Sequence, residues 1–225
     1  KFIIIGDLKT PHEKYQALEN DNVIYLSPEK QDTFYKSLSD IIGWKTIQRR
    51  NIGFVYAYQN GAEVVATVDD DNIPYDDWGS NVVVGKSIEC DSYEPESEVF
   101  DPLSVTNTKD LWHRGYPVEL LATRHRVDYR GKTTRTPLVQ ADLWDGDPDI
   151  DAMARISLRP VVKYSIDDFY CSNKISPFNS QNTFIHREAI PFYCVLPHVG
   201  RMDDIWGAYI LQHHFPDSVV YGPAS

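Results

Sequence analysis

The sequence predicts an α/β domain with a mostly parallel central sheet flanked by helices. Three observations carry this reading. Residues 2–5, 23–26 and 64–68 are short continuous apolar runs, the pattern of strands buried on both faces. Helix start and stop signals stand between them. Strand and helix therefore alternate, which favours parallel pairing through right-handed crossovers.

The first strand, Phe2 to Ile5, ends at Gly6-Asp7. Thr10-Pro11-His12-Glu13 then opens a helix that reaches to about Leu18, because proline is tolerated in a first turn. Val23 to Leu26 is the second strand. Ser27 caps the next helix, with Pro28 at its first position. Between residues 44 and 58, Ile47, Ile52, Val55 and Tyr56 recur at near-helical spacing, and Asn60-Gly61 closes that helix. Val64 to Val68 is the third strand. Residues 76–110 are rich in Asp, Glu, Ser and Pro and read as loops and strands, with a short β run at 82–84. Residues 111–200 carry many turn signals, which suggest further strands and one short helix near 150–156. Residues 203–214 are helical again.

The composition excludes several classes. With 42% hydrophobic and 24% charged residues the chain is an ordinary globular sequence. A net charge of −11, with no basic run longer than Arg49-Arg50, argues against nucleic-acid binding, which needs clustered positive charge. No apolar run approaches the length of a transmembrane helix, and Lys-Phe-Ile-Ile-Ile-Gly-Asp is too short for a signal peptide. Three widely spaced cysteines, Cys90, Cys171 and Cys194, give no disulfide framework, so a reducing, cytoplasmic setting is expected. A trimmed domain of a Golgi or membrane-associated protein fits the same residues. No P-loop, G-x-S-x-G or G-x-G-x-x-G is present, and the histidines lack metal spacing.

The third strand runs into Asp69, Asp70 and Asp71. Three adjacent anions repel one another unless a cation uses them. Hard oxygen ligands suit Mg²⁺ or Mn²⁺, which keep open positions for substrate phosphates. A solvated turn fits the same residues, since Asp-Asn-x-Pro is also turn chemistry. Four further clusters stand out. Arg49-Arg50 offers forks that suit phosphate, or else a solvated helix face. Arg114 sits in the stiff run Trp-His-Arg-Gly-Tyr-Pro, where it can balance phosphate charge or make a structural ion pair. Residues 141–152 hold five carboxylates around Trp144, Asp149 and Asp151 among them, the kind of set that grips a sugar, although an acidic surface turn competes. Asp203-Asp204 opens the last helix, as caps or as a base and its orienting partner.

Taken in order, Val-Asp-Asp-Asp, Arg-Gly-Tyr-Pro, Leu-Trp-x-x-x-Pro-Asp-x-Asp-Ala and Arg-x-Asp-Asp-x-Trp-Gly resemble the plant reversibly glycosylated polypeptides, which are UDP-arabinopyranose mutases. Gly-Asp-Leu-Lys-Thr-Pro, Ile-Tyr-Leu-Ser-Pro and Arg-Arg-Asn-Ile-Gly-Phe-Val-Tyr-Ala resemble the STELLO-type glycosyltransferases even more closely. The resemblance covers about residues 2–214. It implies a single GT-A-like, nucleotide-sugar-binding domain, with the nucleotide part at about 1–75 and the metal, donor and acceptor part at about 76–225. It implies a metal-dependent glycosyltransferase that moves a sugar from a nucleotide sugar, UDP-linked, to a glycan or other hydroxyl acceptor. Asp69 and Asp71 would bind Mn²⁺ or Mg²⁺, and Asp70 would contact ribose or metal. Asp7, Arg49 and Arg50 would hold the nucleotide, while Trp144, Asp149, Asp151 and Trp206 would meet the sugar. Arg114, Asp203 and Asp204 would serve the transfer itself. The mutase resemblance leaves a ring-isomerising mutase as an alternative, and a non-catalytic scaffold is another. The chain lacks the C-terminal extension of the mutases, which favours transfer to an acceptor.

Overall fold

A computed structural model describes residues 1–69 and 71–225. The chain is α/β and divides into two compact units. The first comprises residues 1–63 and 194–203, the second residues 64–193 and 204–225.

In the first unit, β1 (Phe2–Ile5) and β2 (Val23–Leu26) pair in parallel, Phe2 against Val23 through Ile5 against Leu26. The connection contains α1 (His12–Gln16), so the alternation of strand and helix gives the expected result here. The Ser27 side chain accepts the Lys30 N–H at 3.3 Å and caps α2 (Pro28–Phe34), with Pro28 at its first position. A further helix, α3 (Lys36–Ile42), follows directly. The apolar period between 44 and 58 gives a 3₁₀ turn at Ile47–Arg49 and then α4 (Arg50–Gln59), which ends at Asn60 and a Gly61 with φ of +77°. Leu26, Ile42 and Ile52 form the core of this unit, packed by Ile3, Ile5, Ile24 and Leu38.

The second unit is built on β3 (Val64–Val68), β4 (Ile88–Pro95), β5 (Val127–Arg135), β6 (Val139–Asp142), β7 (Tyr170–Ser172), β8 (Asn182–His186) and β9 (Val219–Gly222), with α5 (Ala152–Leu158) and α6 (Asp203–His214) between them. The strand order is β3-β8-β6-β9-β7-β4-β5. Only the neighbours β6/β9 and β4/β7 are parallel; the other four pairs are antiparallel. The sheet is thus mixed, which corrects the mostly parallel sheet expected from the first 75 residues. Only strand–helix–strand crossovers impose parallel pairing, and beyond residue 68 most connections lack a helix. Residues 82–84 form a turn-rich segment instead of a strand: the Val83 N–H donates to the Gln140 side chain at 2.8 Å. A core of Leu103, Leu111, Leu143, Ile150, Ala154 and Val162 backs the loops that carry the acidic motifs. No helix among the described residues is long and apolar enough to cross a membrane.

Candidate functional site

The sheet direction selects one edge. Strands β3 and β6 both run antiparallel to β8, and β9 runs parallel to β6. Their carboxyl ends, Val68, Asp142 and Gly222, therefore lie along the same edge, where β8 begins at Asn182 opposite Val68. Open α/β sheets bind ligands at the carboxyl ends of their strands. Asp69 follows β3 and is half-buried, and Asp71 is exposed. Asp70 lies outside the described residues. The segment preceding β8 ties this edge together. Thr67 Oγ1 donates to the Ser180 carbonyl at 3.1 Å, and Gln181 Nε2 to Asn72 Oδ1 at 3.4 Å. Trp78 donates its indole N–H to Asn182 at 2.9 Å and packs on Phe184, which fastens the loop that follows the acidic turn.

The same segment reaches Arg114. The Arg114 Nε donates to both oxygens of Asp149, at 2.8 and 2.7 Å, and Nη2 reaches Asp149 Oδ2 at 2.6 Å. Nη1 and Nη2 meet Asp204 at 2.9 and 3.0 Å. Asn179 adds a bond to Asp149 at 2.9 Å, and Ser180 gives Asp204 its N–H at 3.0 Å and its hydroxyl at 3.2 Å. The Ile205 N–H donates to the other oxygen of Asp204 at 2.9 Å. The side chains of Arg114 and Asp149 are only 15% exposed, so two carboxylates share one guanidinium in a largely dry node of net charge −1. Burial alone would push the Asp204 carboxyl up, but Arg114 and Ser180 outweigh it and hold it below its ordinary value. Burial likewise opposes the charge on Arg114, yet the two carboxylates hold its pKa above normal.

Local sequence explains why the node forms. The 112–117 run is strapped to the 149–151 loop by a bridge between His113 and Ile150 and by the Asp151 N–H, which donates to the Trp112 carbonyl at 3.0 Å. Gly115 has φ of +89°, and a Cβ there would stand 2.4 Å from the Ile205 side chain. Glycine lets the loop pass tightly against α6 and aim Arg114 at Asp204. Tyr209 on α6 closes the contact by donating to the Gly115 carbonyl at 2.9 Å.

The remaining expected residues are placed as follows. Asp151 caps α5 by accepting the Met153 N–H at 2.8 Å. Trp144 is half-buried, and Trp206 on α6 is 49% exposed. Asp203 is buried and accepts the Gln48 amide. Asp7 accepts the N–H groups of Lys45 at 2.9 Å and Thr46 at 3.0 Å. Burial raises its pKa, but these bonds and that from Leu8 bring it below normal. Arg49 is buried among Gln31, Ser39 and the Gly43 carbonyl, and its guanidinium stacks 3.7 Å over Trp44. Arg50 opens α4, half-buried.

Among the described residues, no three Asp, Glu, His or Cys side chains are gathered as a metal centre. Mg²⁺ does not require one, since it is commonly held by one or two carboxylates together with substrate phosphates. Asp69 and Asp71 are oxygen donors two positions apart in the sequence after the end of β3, and this donor set fits such an ion. Sequence reasoning missed Asn179 and Ser180. They lie in a turn-rich run, Pro-Phe-Asn-Ser-Gln-Asn, with no chemical signature; only the chain's return to β8 brings them to the carboxylates.

No family model matches the chain. Two curated proteins of Arabidopsis thaliana do. One, named Probable glycosyltransferase STELLO1, is 24% identical over 207 residues, covering 83% of this chain and 26% of that protein. The other, Probable glycosyltransferase STELLO2, is 23% identical over 206 residues, again covering 83% of this chain and 26% of that protein. The chain thus spans about a quarter of the length of the curated relatives it matches, and its resemblance to STELLO-type glycosyltransferases extends over most of its sequence.

Proposed function

We propose that the chain is a GT-A-like glycosyltransferase domain that moves a sugar from a nucleotide sugar, UDP-linked, to an acceptor hydroxyl. The observation that supports this reading is that residues 179–181 bond both to Thr67 and Asn72, which flank the acidic triplet, and to the Asp149–Arg114–Asp204 node. The names of the two relatives point to the same reaction class.

In this reading Asp69 and Asp71 hold Mg²⁺ or Mn²⁺ as the DXD pair. The ion supplies positive charge to the diphosphate leaving group. Arg114 is a positioning residue, because its fork is engaged by two carboxylates and serves them first. Asp204 accepts bonds on both oxygens and is a weak base, so it contributes fixed negative charge where the sugar carbon becomes positive. Asp149 likewise accepts bonds on both oxygens, from Arg114 and Asn179, and adds to that fixed negative charge. Trp206 offers an exposed apolar face to a sugar ring.

Calorimetric titration of UDP in Mn²⁺ and in EDTA tests the reading. Binding at roughly micromolar Kd, dependent on Mn²⁺ and lost in Asp71→Ala, is the expected result. Equal affinity in EDTA, or an Asp71→Ala variant that binds like the wild type, would overturn it.

A further inference from the structure

Cys90 on β4 and Cys171 on β7 are both fully buried, and their sulfur atoms lie 3.5 Å apart. The placement follows from the sheet. Ser92 is the registered partner of Cys171, and Cys90 lies two residues before Ser92, so both thiols project from the same face. The positive charge of Arg135 acts on Cys171, and Arg135 is itself paired with Asp217 at 3.3 Å. The bond from the Cys90 thiol, followed by Arg135, holds the Cys171 thiol below its ordinary value. Cys90, which donates that bond in a buried setting, stays a neutral thiol. One thiol is thus biased toward the nucleophilic thiolate while the other is kept protonated beside it.

We infer that Cys90 and Cys171 are a covalent modification site: a nucleophilic and a resolving cysteine that close into a disulfide between β4 and β7 when a peroxide reaches them. The Cys171 thiolate attacks one peroxide oxygen, the O–O bond breaks, and hydroxide leaves, giving a sulfenic acid. The Cys90 sulfur then displaces the sulfenic hydroxyl, which departs as water with the Cys90 proton. The hydroxide from the first step takes up the proton released when Cys171 ionised. In sum, two thiols and one hydrogen peroxide give one disulfide and two waters. Bond formation brings the sulfurs from 3.5 Å to ~2.05 Å, and because the two cysteines are diagonal rather than directly registered it draws their strands together as well. Both thiols are enclosed beside Val83, Ile88 and Phe169, so peroxide reaches them by local opening of the β4–β7 pairing, which is registered over only three residue pairs.

The test treats the full chain with hydrogen peroxide, denatures it in an alkylating agent, and reads intact mass and a non-reducing peptide map. The expected product has lost two hydrogens and carries one alkyl group, on Cys194, with the Cys90 and Cys171 peptides linked. Dithiothreitol restores three alkylatable thiols. In Cys90→Ser, oxidation stops at a Cys171 sulfenic acid that a 1,3-diketone traps. Three free thiols after an exposure that fully oxidises a small free dithiol, or a link that involves Cys194, would overturn the inference. The wild-type mass alone decides the matter if the serine variant does not fold.

Discussion

Arg49 and Arg114 are the same residue type in two kinds of surroundings. Arg49 is wrapped by neutral groups, the Gln31 amide, the Ser39 hydroxyl and the Gly43 carbonyl, with Trp44 stacked on its face. Arg114 is held by two carboxylates that come from distant parts of the chain. Five donors set in a rigid plane can satisfy either set. Neutral partners turn arginine into a staple for a loop. Anionic partners turn it into the organiser of a charged node that remains one electron negative. The sequence left both open, Arg49 between phosphate recognition and a solvated helix face and Arg114 between phosphate charge and a structural ion pair; the partners, not the arginine, decide the role.

The largest effect that separates the two sites is stability. Arg114→Met leaves Asp149 and Asp204 without their cation and is expected to cost about 3–5 kcal/mol. Arg49→Met leaves no buried ion behind, only unpaired neutral acceptors, and is expected to cost about 2–3 kcal/mol. Urea denaturation of both variants ranks them, and the reverse order would break the comparison.

Acid sharpens it. The Asp204 pKa is depressed in the fold, so its contribution is complete above about pH 4, the ordinary carboxylate value, and is lost as pH falls through the folded value. Asp142, at the end of β6, has the opposite sign. Burial pushes its carboxyl up to about 7, although Gln140 at 2.9 Å and Ser225 at 3.2 Å donate to it. Its neutral form is favoured in the fold, so its contribution is greatest below about pH 4 and declines as pH rises toward 7. Asp142→Asn should remove that decline, raising stability at pH 8 relative to pH 5 by an amount on the order of 2 kcal/mol. Denaturation at the two pH values checks this, and an unchanged slope would show that the carboxyl is ionised throughout. Arg49 bonds neutral acceptors and meets the carboxylates of Asp7 and Asp32 only through space, so the cost of Arg49→Met should change little between the two.

The smallest effect concerns the acidic loop itself. Asp151→Ala removes the cap of α5 and should cost about 1 kcal/mol while leaving UDP binding intact. A loss of UDP affinity equal to that of Asp71→Ala would mean that Asp151 meets the ligand as well as the helix.

Several features were legible in the chain alone. The bounds of β1, β2, β3 and α6 follow from apolar runs and their polar stops, because burial periodicity is a local property. The Ser27-Pro28 start of α2 is equally local. Asp149, Arg114 and Asp204 were all singled out by their motifs. What the sequence did not determine is that these three form one node, because residues 35 and 90 positions apart meet only when the sheet is assembled. The mixed direction of the sheet, the use of Asn179 and Ser180, and the approach of Cys90 to Cys171 are of the same kind. Strand order and register arise from long-range pairing, and no window of sequence encodes which strand a given strand will meet.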